Sequence, residues 1–393
     1  MRILSRYVLS ELLQVFLVAL SALTLFMLVV GLVKEAQQQG LGLIQIAKLV
    51  PYVLPEAMRF AVPGTMLFAV ASVFGRMSAT NEITALKAAG ISPMAAMWPA
   101  FGLAVVVSFV SVWLNDVAVS WGRDGIRRVI VSSVEEIMYG RLRQHRSYSA
   151  PHISINVKSV DGKTLKRPTL SYQPEDGEPV TVSAETAEMH ADPEKGTLRV
   201  TCTNGTFQMG DVKVVFTDSW NREIALDSVS RKGGGTQSPS EIAMADFPAA
   251  IAEQHRRIRQ GEELAAAKVG LATFSGRLDM TVPEHLVSER EMVKNETARL
   301  HRIEMEPWRR WANGFSCLCF VLVGAPMAIR MRNADFLTSF FMCFLPILLV
   351  YYPVFMAGVS QAKSGAVPPI AVWAGNLLVT LWGMWLMRSV IRT

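Results

Sequence analysis

Six apolar segments, each long enough to cross a bilayer, fall into two groups of three, with one polar stretch from 120 to 310 between the groups. A hydrocarbon core of roughly 30 Å takes about 20 residues of helix. In lipid the backbone must satisfy its own hydrogen bonds, so segments of this kind fold as helices. The spans are Leu12–Val33, Pro55–Met77, Met94–Val119, Trp311–Ile329, Phe336–Val359 and Val367–Met387. Charge agrees: 18% of the 393 residues are charged, against about 25% in an average soluble domain. The net charge of +6 comes from dispersed basic residues, which points to membrane topology rather than nucleic-acid binding.

Topology follows from the short loops. Arg2, Arg6, Arg76, Lys87, Arg330, Arg332, Arg388 and Arg392 all fall on one side if both termini are cytoplasmic. The opposite loops hold chiefly Lys34, Lys48 and Lys363, so the positive-inside rule places the large polar region outside the cytoplasm. The first apolar run exceeds a signal-peptide core and lacks a small-residue cleavage site, so it is expected to persist as an anchor. Cys317, Cys319 and Cys343 lie within spans and Cys202 stands alone in the polar region, a pattern of packing rather than of disulfides or metal ligands.

Within the polar region, Ile126, Val129, Ile130, Ser133, Val134, Ile137 and Met138 recur at helical spacing, so an amphipathic helix continues from span three. From Tyr148 to Leu226 the pattern is β. Ile153, Ile155 and Val157, then Leu198, Val200 and Cys202, then Val212, Val214 and Phe216 alternate with polar residues. Turn pairs separate them: Asp161-Gly162, Asp176-Gly177, Lys195-Gly196 and Asn204-Gly205. Short strands of this kind suggest a small sandwich or jelly roll. Lys232–Gly235 reads as a linker, and Phe247–Arg310 as charged and mostly helical, with Pro283 at a first turn and Glu284–Arg310 leading into span four.

Three segments are candidates for function. Between spans two and three, Asn81 is expected to cap a short helix, Glu82 sits where the helix dipole favours an anion, and Gly90 and Pro93 end it. About nine residues of helix are marginal alone in water. The segment is therefore either a tight turn with Glu82 as its capping charge, or a helix docked on the membrane, the bundle or a cytoplasmic partner. At the start of span two, Pro51, Pro55 and Pro63 flank Glu56 and Arg59, giving a kinked start or a lateral gate. Lys34, Lys48, Arg59, Arg309 and Arg310 form an outer-leaflet basic set, placed to meet lipid phosphates or simply to snorkel. No acid or His lies at mid-membrane, which argues against an ion-coupled carrier. The chain has no phosphate-binding G-x-x-x-x-G-K-[ST] loop, no H-E-x-x-H and no G-x-S-x-G, and Gly233–Gly235 runs into Thr-Gln-Ser. Any nucleotide chemistry would come from a partner, and no catalytic residue or metal site is expected here.

These segments resemble the lipopolysaccharide-export permease family (LptF/LptG, also YjgP/YjgQ) along nearly the whole chain. The likeness starts at Arg6-Tyr7 and Glu11 and runs through Pro55-Glu56, Pro63 and Gly75. It is sharpest from Asn81 to Ser92, the family's E-I-x-x-x-x-x-x-G-x-S element. It resumes at Leu300-His301-Arg302, Gly324-Ala325-Pro326, Tyr351-Tyr352, Pro368-Pro369, Trp373 and Asn376-Leu377. The chain departs from the family at Asn333-Ala334-Asp335, where Gly-Arg is common, and in the length of Phe247–Arg310.

The resemblance implies a membrane protein: a six-helix (3+3) transmembrane bundle with an inserted extracytoplasmic β-jellyroll. Its expected divisions are 1–120 with a coupling helix near 78–92, 121–232, 233–310 and 311–393. It implies a permease subunit of an ATP-driven exporter that extracts lipopolysaccharide from the inner membrane. The implied partners are a cytoplasmic ABC ATPase dimer that binds ATP and magnesium, a second permease subunit (paralogue or self) and a periplasmic jellyroll bridge. Glu82, Ile83, Leu86, Lys87 and Gly90 become the ATPase-coupling residues. Spans one, two, four, five and six become the lining or support of a lipid cavity. An external power stroke is physically reasonable, because withdrawing acyl chain from a bilayer costs roughly 0.8 kcal/mol per CH₂. The rival readings are another envelope exporter, such as a lipoprotein-release permease, whose large domain follows the first span, and a receptor or scaffold that needs no docked cytoplasmic helix.

Overall fold

The computed structural model describes residues 2–39, 43–150, 153–172, 180–192, 197–209, 212–225, 238–275, 287–331 and 336–392. Asp176-Gly177, Lys195-Gly196, the Lys232–Gly235 linker, Pro283, Glu284, Arg332 and Asn333-Ala334-Asp335 lie outside them, as do the side chains of Ile130, Ser133, Val134, Ile137 and Ile153.

The chain opens with α1 (Arg2–Gln39), α2 (Leu43–Ala79), α3 (Glu82–Ala88) and α4 (Met94–Val117), a π-turn at Ala118–Gly122, and α5 (Arg123–His145). Strands β1 (Ser147–Ala150), β2 (Ile153–Asn156), β3 (Ser159–Asp161), β4 (Thr164–Lys166), β5 (Thr169–Tyr172), β6 (Val180–Asp192), β7 (Thr197–Met209) and β8 (Val212–Ala225) follow. The longer helices that follow are α6 (Phe247–Phe274), α7 (Val287–Arg330), α8 (Phe336–Pro346), α9 (Tyr352–Lys363) and α10 (Ala374–Arg392). Among the described residues, six helical stretches are long and apolar enough to span a membrane: Ile3–Lys34, Ile46–Ala79, Met94–Gly122, Arg290–Arg330, Thr338–Lys363 and Pro369–Ile391. They overrun the apolar windows because the hydrogen-bond ladder continues past the lipid-compatible residues; α7 is unbroken from its charged beginning into span four. Span five is instead divided by a π-turn at Ile347–Tyr351 directly after Pro346. Proline lacks the N–H that the ladder needs, and an extra residue in the turn absorbs the mismatch.

Two compact units result. One comprises Met1–Met27, Leu54–Ser120 and Ser238–Thr393; the other comprises Leu28–Val53 and Trp121–Gln237. In the first, Leu12, Met66, Phe74, Met97, Phe320 and Tyr351 belong to one buried cluster. Interhelical polar ties cross it: Asn376 Nδ2 donates to Ala312 O at 2.7 Å, and Ser78 Oγ to Ile329 O at 2.8 Å. The described residues of 247–310 belong to this unit. Phe247, Gln254 and Gly261 of α6 meet Ile303, Glu296 and Val293 of α7 in turn, so the two helices run antiparallel. Ile242, Phe247 and Ile303 form the apolar seal that holds them.

In the second unit, all eight strands belong to one antiparallel sheet. One side of β6 pairs with β5 and then β4, while its other side pairs with β7, which pairs with β8. Beyond β5 come β2 and β1, and beyond β4 comes β3. Ile155, Leu165, Val182, Met189, Val200 and Cys202 are buried together, closed over by Met138, Tyr139 and Leu142 of α5. The Tyr139 hydroxyl donates to Lys163 O at 2.5 Å and accepts from Met189 N at 2.9 Å. Burial raises the Tyr139 pKa and pushes the Cys202 thiol up to about 11, leaving both neutral. The alternation at Val212 and Val214 marks a strand, but these side chains are 58% and 52% exposed, and among the described residues β8 pairs only with β7.

Two turn signals have different outcomes. Asp161-Gly162 turns β3 into β4, with Gly162 at φ +61°. Asn204-Gly205 does not end a strand: it makes a bulge within β7, with Asn204 at φ +54° and the register slipping between Thr203 and Gly205. Residues that tolerate a left-handed backbone suit a bulge as well as a turn.

Candidate functional site: a short docked helix below an apolar cavity

The link between α2 and α4 is built by backbone geometry. α2 stops at Ala79, and Asn81 swings to φ +59°, where its carbonyl accepts the Ala85 N–H at 2.9 Å. The expected side-chain cap from Asn81 does not form. Thr80 Oγ1 donates to Glu82 Oε1 at 3.0 Å instead. α3 has seven residues, shorter than the expected nine, because Gly90 at φ +73° closes it early. Ile91 N bonds Leu86 O at 2.9 Å and Gly90 N bonds Lys87 O at 3.0 Å, which is the Schellman arrangement.

A helix this short requires docking, and Ile83 supplies it. Ile83 is 3% exposed and belongs to the buried cluster of its own bundle, with Leu86 packed against it. Glu82 and Lys87 are half-buried, while Thr84, Ala85, Ala88, Ala89 and Gly90 remain exposed. The helix therefore has one anchored side and one small-residue side open to a partner. Glu82 Oε1 lies 3.5 Å from Arg76 Nη1. The same guanidinium donates to Glu11 of α1 and, at 3.0 Å, to the Tyr7 hydroxyl.

Above this cluster is a cavity of about 950 Å³ between α1, α2 and α8, at the upper end of the roughly 300–1,000 Å³ typical of small-molecule pockets. Val15, Val18, Leu23, Phe26, Phe68, Phe340 and Phe344 make it apolar, and Glu11, Gln14 and Thr65 are its polar members. Thr65 turns its hydroxyl back to Ala61 O at 2.9 Å. Phe340 stacks on Phe344 with centroids 5.7 Å apart and meets Phe68 edge-on at 5.6 Å. Of the spans expected at a cavity, one, two and five line this one. Only 11% of the apolar window of span one is buried, against 67% for span two, so α1 offers an uncovered apolar wall.

The basic set divides. Lys34 and Lys48 are exposed. Arg59 is half-buried, 3.3 Å from Glu56, with its guanidinium 4.6 Å from the Phe60 ring centre. Arg309 pairs with Glu306. Arg310 is 2% exposed. It donates to Ile242 O at 2.7 Å and Ser240 O at 3.4 Å, lies 3.5 Å from Asp116, and covers the Phe247 ring at 5.1 Å. That burial makes Arg310 a structural clamp and removes it from any head-group surface. Asp116 also accepts the Met244 N–H at 2.8 Å. The sequence placed Arg310 in the outer basic set without a partner, since the groups that bury it lie in 240–244 and at Asp116. Gly64 of the cavity carried no signal at all.

The family model described as "Lipopolysaccharide export system permease LptF/LptG" matches residues 6–389. No curated protein matches the chain significantly.

Proposed function

Because the chain belongs to the lipopolysaccharide export permease family LptF/LptG, we propose that it is the membrane subunit of an ATP-driven exporter that withdraws lipopolysaccharide from the inner membrane and passes it to a periplasmic bridge. Membership and its six membrane-capable helices make it a multi-pass inner-membrane transport permease. In the proposed assembly both termini are cytoplasmic and the β-sheet unit, as a jellyroll, is periplasmic. A cytoplasmic ABC ATPase dimer binds ATP and magnesium, and this chain binds no cofactor.

The observation that carries this reading is α3. Its Ile83 anchor makes it move with the bundle, while its exposed Ala85–Ala88–Ala89 side can seat in a groove of the ATPase. Glu82, Leu86, Lys87 and Gly90 complete the coupling element. The uncovered wall of α1 supports pairing with a second permease subunit, paralogue or self, around the cavity. The exposed edge strand β8 supports strand-to-strand contact with a bridge protein. Lys34, Lys48, Arg59 and Arg309 remain the residues for lipid phosphates.

Replacing Glu82 with alanine tests the coupling role. The variant is expected to lose most lipopolysaccharide release from proteoliposomes, or to lose its ATPase on purification. An intact complex with unchanged release removes Glu82 from this role.

A further inference from the structure

Arg76 stands between the short helix and the cavity. Its guanidinium serves Glu11 and Tyr7 on α1 and approaches Glu82 on α3. Glu11 is itself a cavity-lining residue, and its Oε2 is buried without a hydrogen-bond partner among the described residues. One side chain thus reaches from the element that faces the cytoplasmic partner to the floor of the lipid cavity. The wall it holds is lightly packed. In this unit the buried apolar residues of α1 are Val8, Leu12 and Phe16, on either side of Glu11. The wall beyond them, from Val18 to Phe26, borders the cavity.

We infer that Arg76 is a positioning residue that couples α1, and with it the width of the cavity, to the position of α3. This holds on the premise that α3 is where the ATPase acts. A guanidinium has five donors in a fixed fork and can hold two carboxylates at once. When α3 shifts, Glu82 moves relative to Arg76, and the hold of Arg76 on Glu11 changes with it. Arg76 is 45% exposed and Glu82 33% exposed, and ion pairs of that exposure contribute little to folding stability. Their loss should therefore show in coupling rather than in assembly.

The test is a double-mutant cycle in proteoliposomes holding the complete complex with its ATPase, reading ATP hydrolysed per lipopolysaccharide released. Arg76→Gln and Glu11→Gln are each expected to raise that ratio about tenfold. The double variant is expected to be no worse than either single one, because both break the same link. Arg76→Lys, which keeps the charge without the fork, should fall between, and it carries the test if Arg76→Gln does not fold. A spin-label distance between Val18 and Phe68 should lose its nucleotide-dependent change in the same variants. The inference is overturned by an unchanged ratio, by single effects that multiply in the double variant, or by a nucleotide-dependent distance that persists. A wild-type complex with no ATP-dependent release would defeat the export reading instead.

Discussion

Arg310→Ala lowers the stability of the membrane unit by about 3–5 kcal/mol, the usual result of breaking a buried ion pair from one side. The substitution removes the donors to Ile242 O and Ser240 O and takes away the cation 3.7 Å from Glu306, which is itself buried and is left with Arg309 alone of its two arginines. Asp116 keeps only its contact with Met244 N from this cluster. For a unit of this size the loss corresponds to a fall in Tm of roughly 6–20 °C, measurable by tryptophan fluorescence in detergent. Arg310→Lys keeps the charge but cannot span both carbonyls and Asp116, so it should lie between. A Tm within 2 °C of wild type, roughly 1 kcal/mol or less, would show that the clamp does not hold α7 to the 240–244 segment.

Gly64→Phe is expected to keep the fold and empty the cavity. A Cβ at Gly64 meets nothing within 4 Å, and Gly64 lines the cavity, so the ring has the cavity's open space to enter. Replacing a glycine inside a helix with phenylalanine also improves helix propensity, by about a few tenths of a kcal/mol. Lipid that co-purifies with the chain should drop about tenfold, equivalent to roughly 1.4 kcal/mol of binding, with an unchanged Tm. Undiminished bound lipid in a folded Gly64→Phe protein would place the lipid path elsewhere.

What could be read without coordinates depended on the range of the interactions. The spans were legible because lipid imposes a length of apolar sequence, and β3–β4 because a tight turn needs a left-handed residue at Gly162. Helix limits were only partly legible: the charged run leading into span four was expected, but α2 begins at Leu43, well before the Pro55 at which its apolar window opens. Asn81 holds the expected N-cap position without the side-chain bond expected of it, and Asn204 was recognised as a special position but taken for a turn. Sequence shows that a residue tolerates positive φ without showing whether the backbone there caps, turns or bulges. Lys34 and Arg310 looked alike as basic residues at an apolar edge; the acceptors that bury Arg310 lie 68, 70 and 194 residues away. The pairing of Arg76 with Glu11 was hidden for the same reason. Glu11 and Arg76 each stood out, but 65 residues separate them, and the cavity they adjoin is assembled from three helices with no motif between them.

Labelled lipopolysaccharide released from proteoliposomes, with the chain supplied alone or with its ATPase, tests the central claim most directly. The account predicts no ATP hydrolysis and no release from the chain alone, and ATP-dependent release once the ATPase is present. Hydrolysis by the purified chain, or release that ignores ATP in the complete assembly, would contradict it.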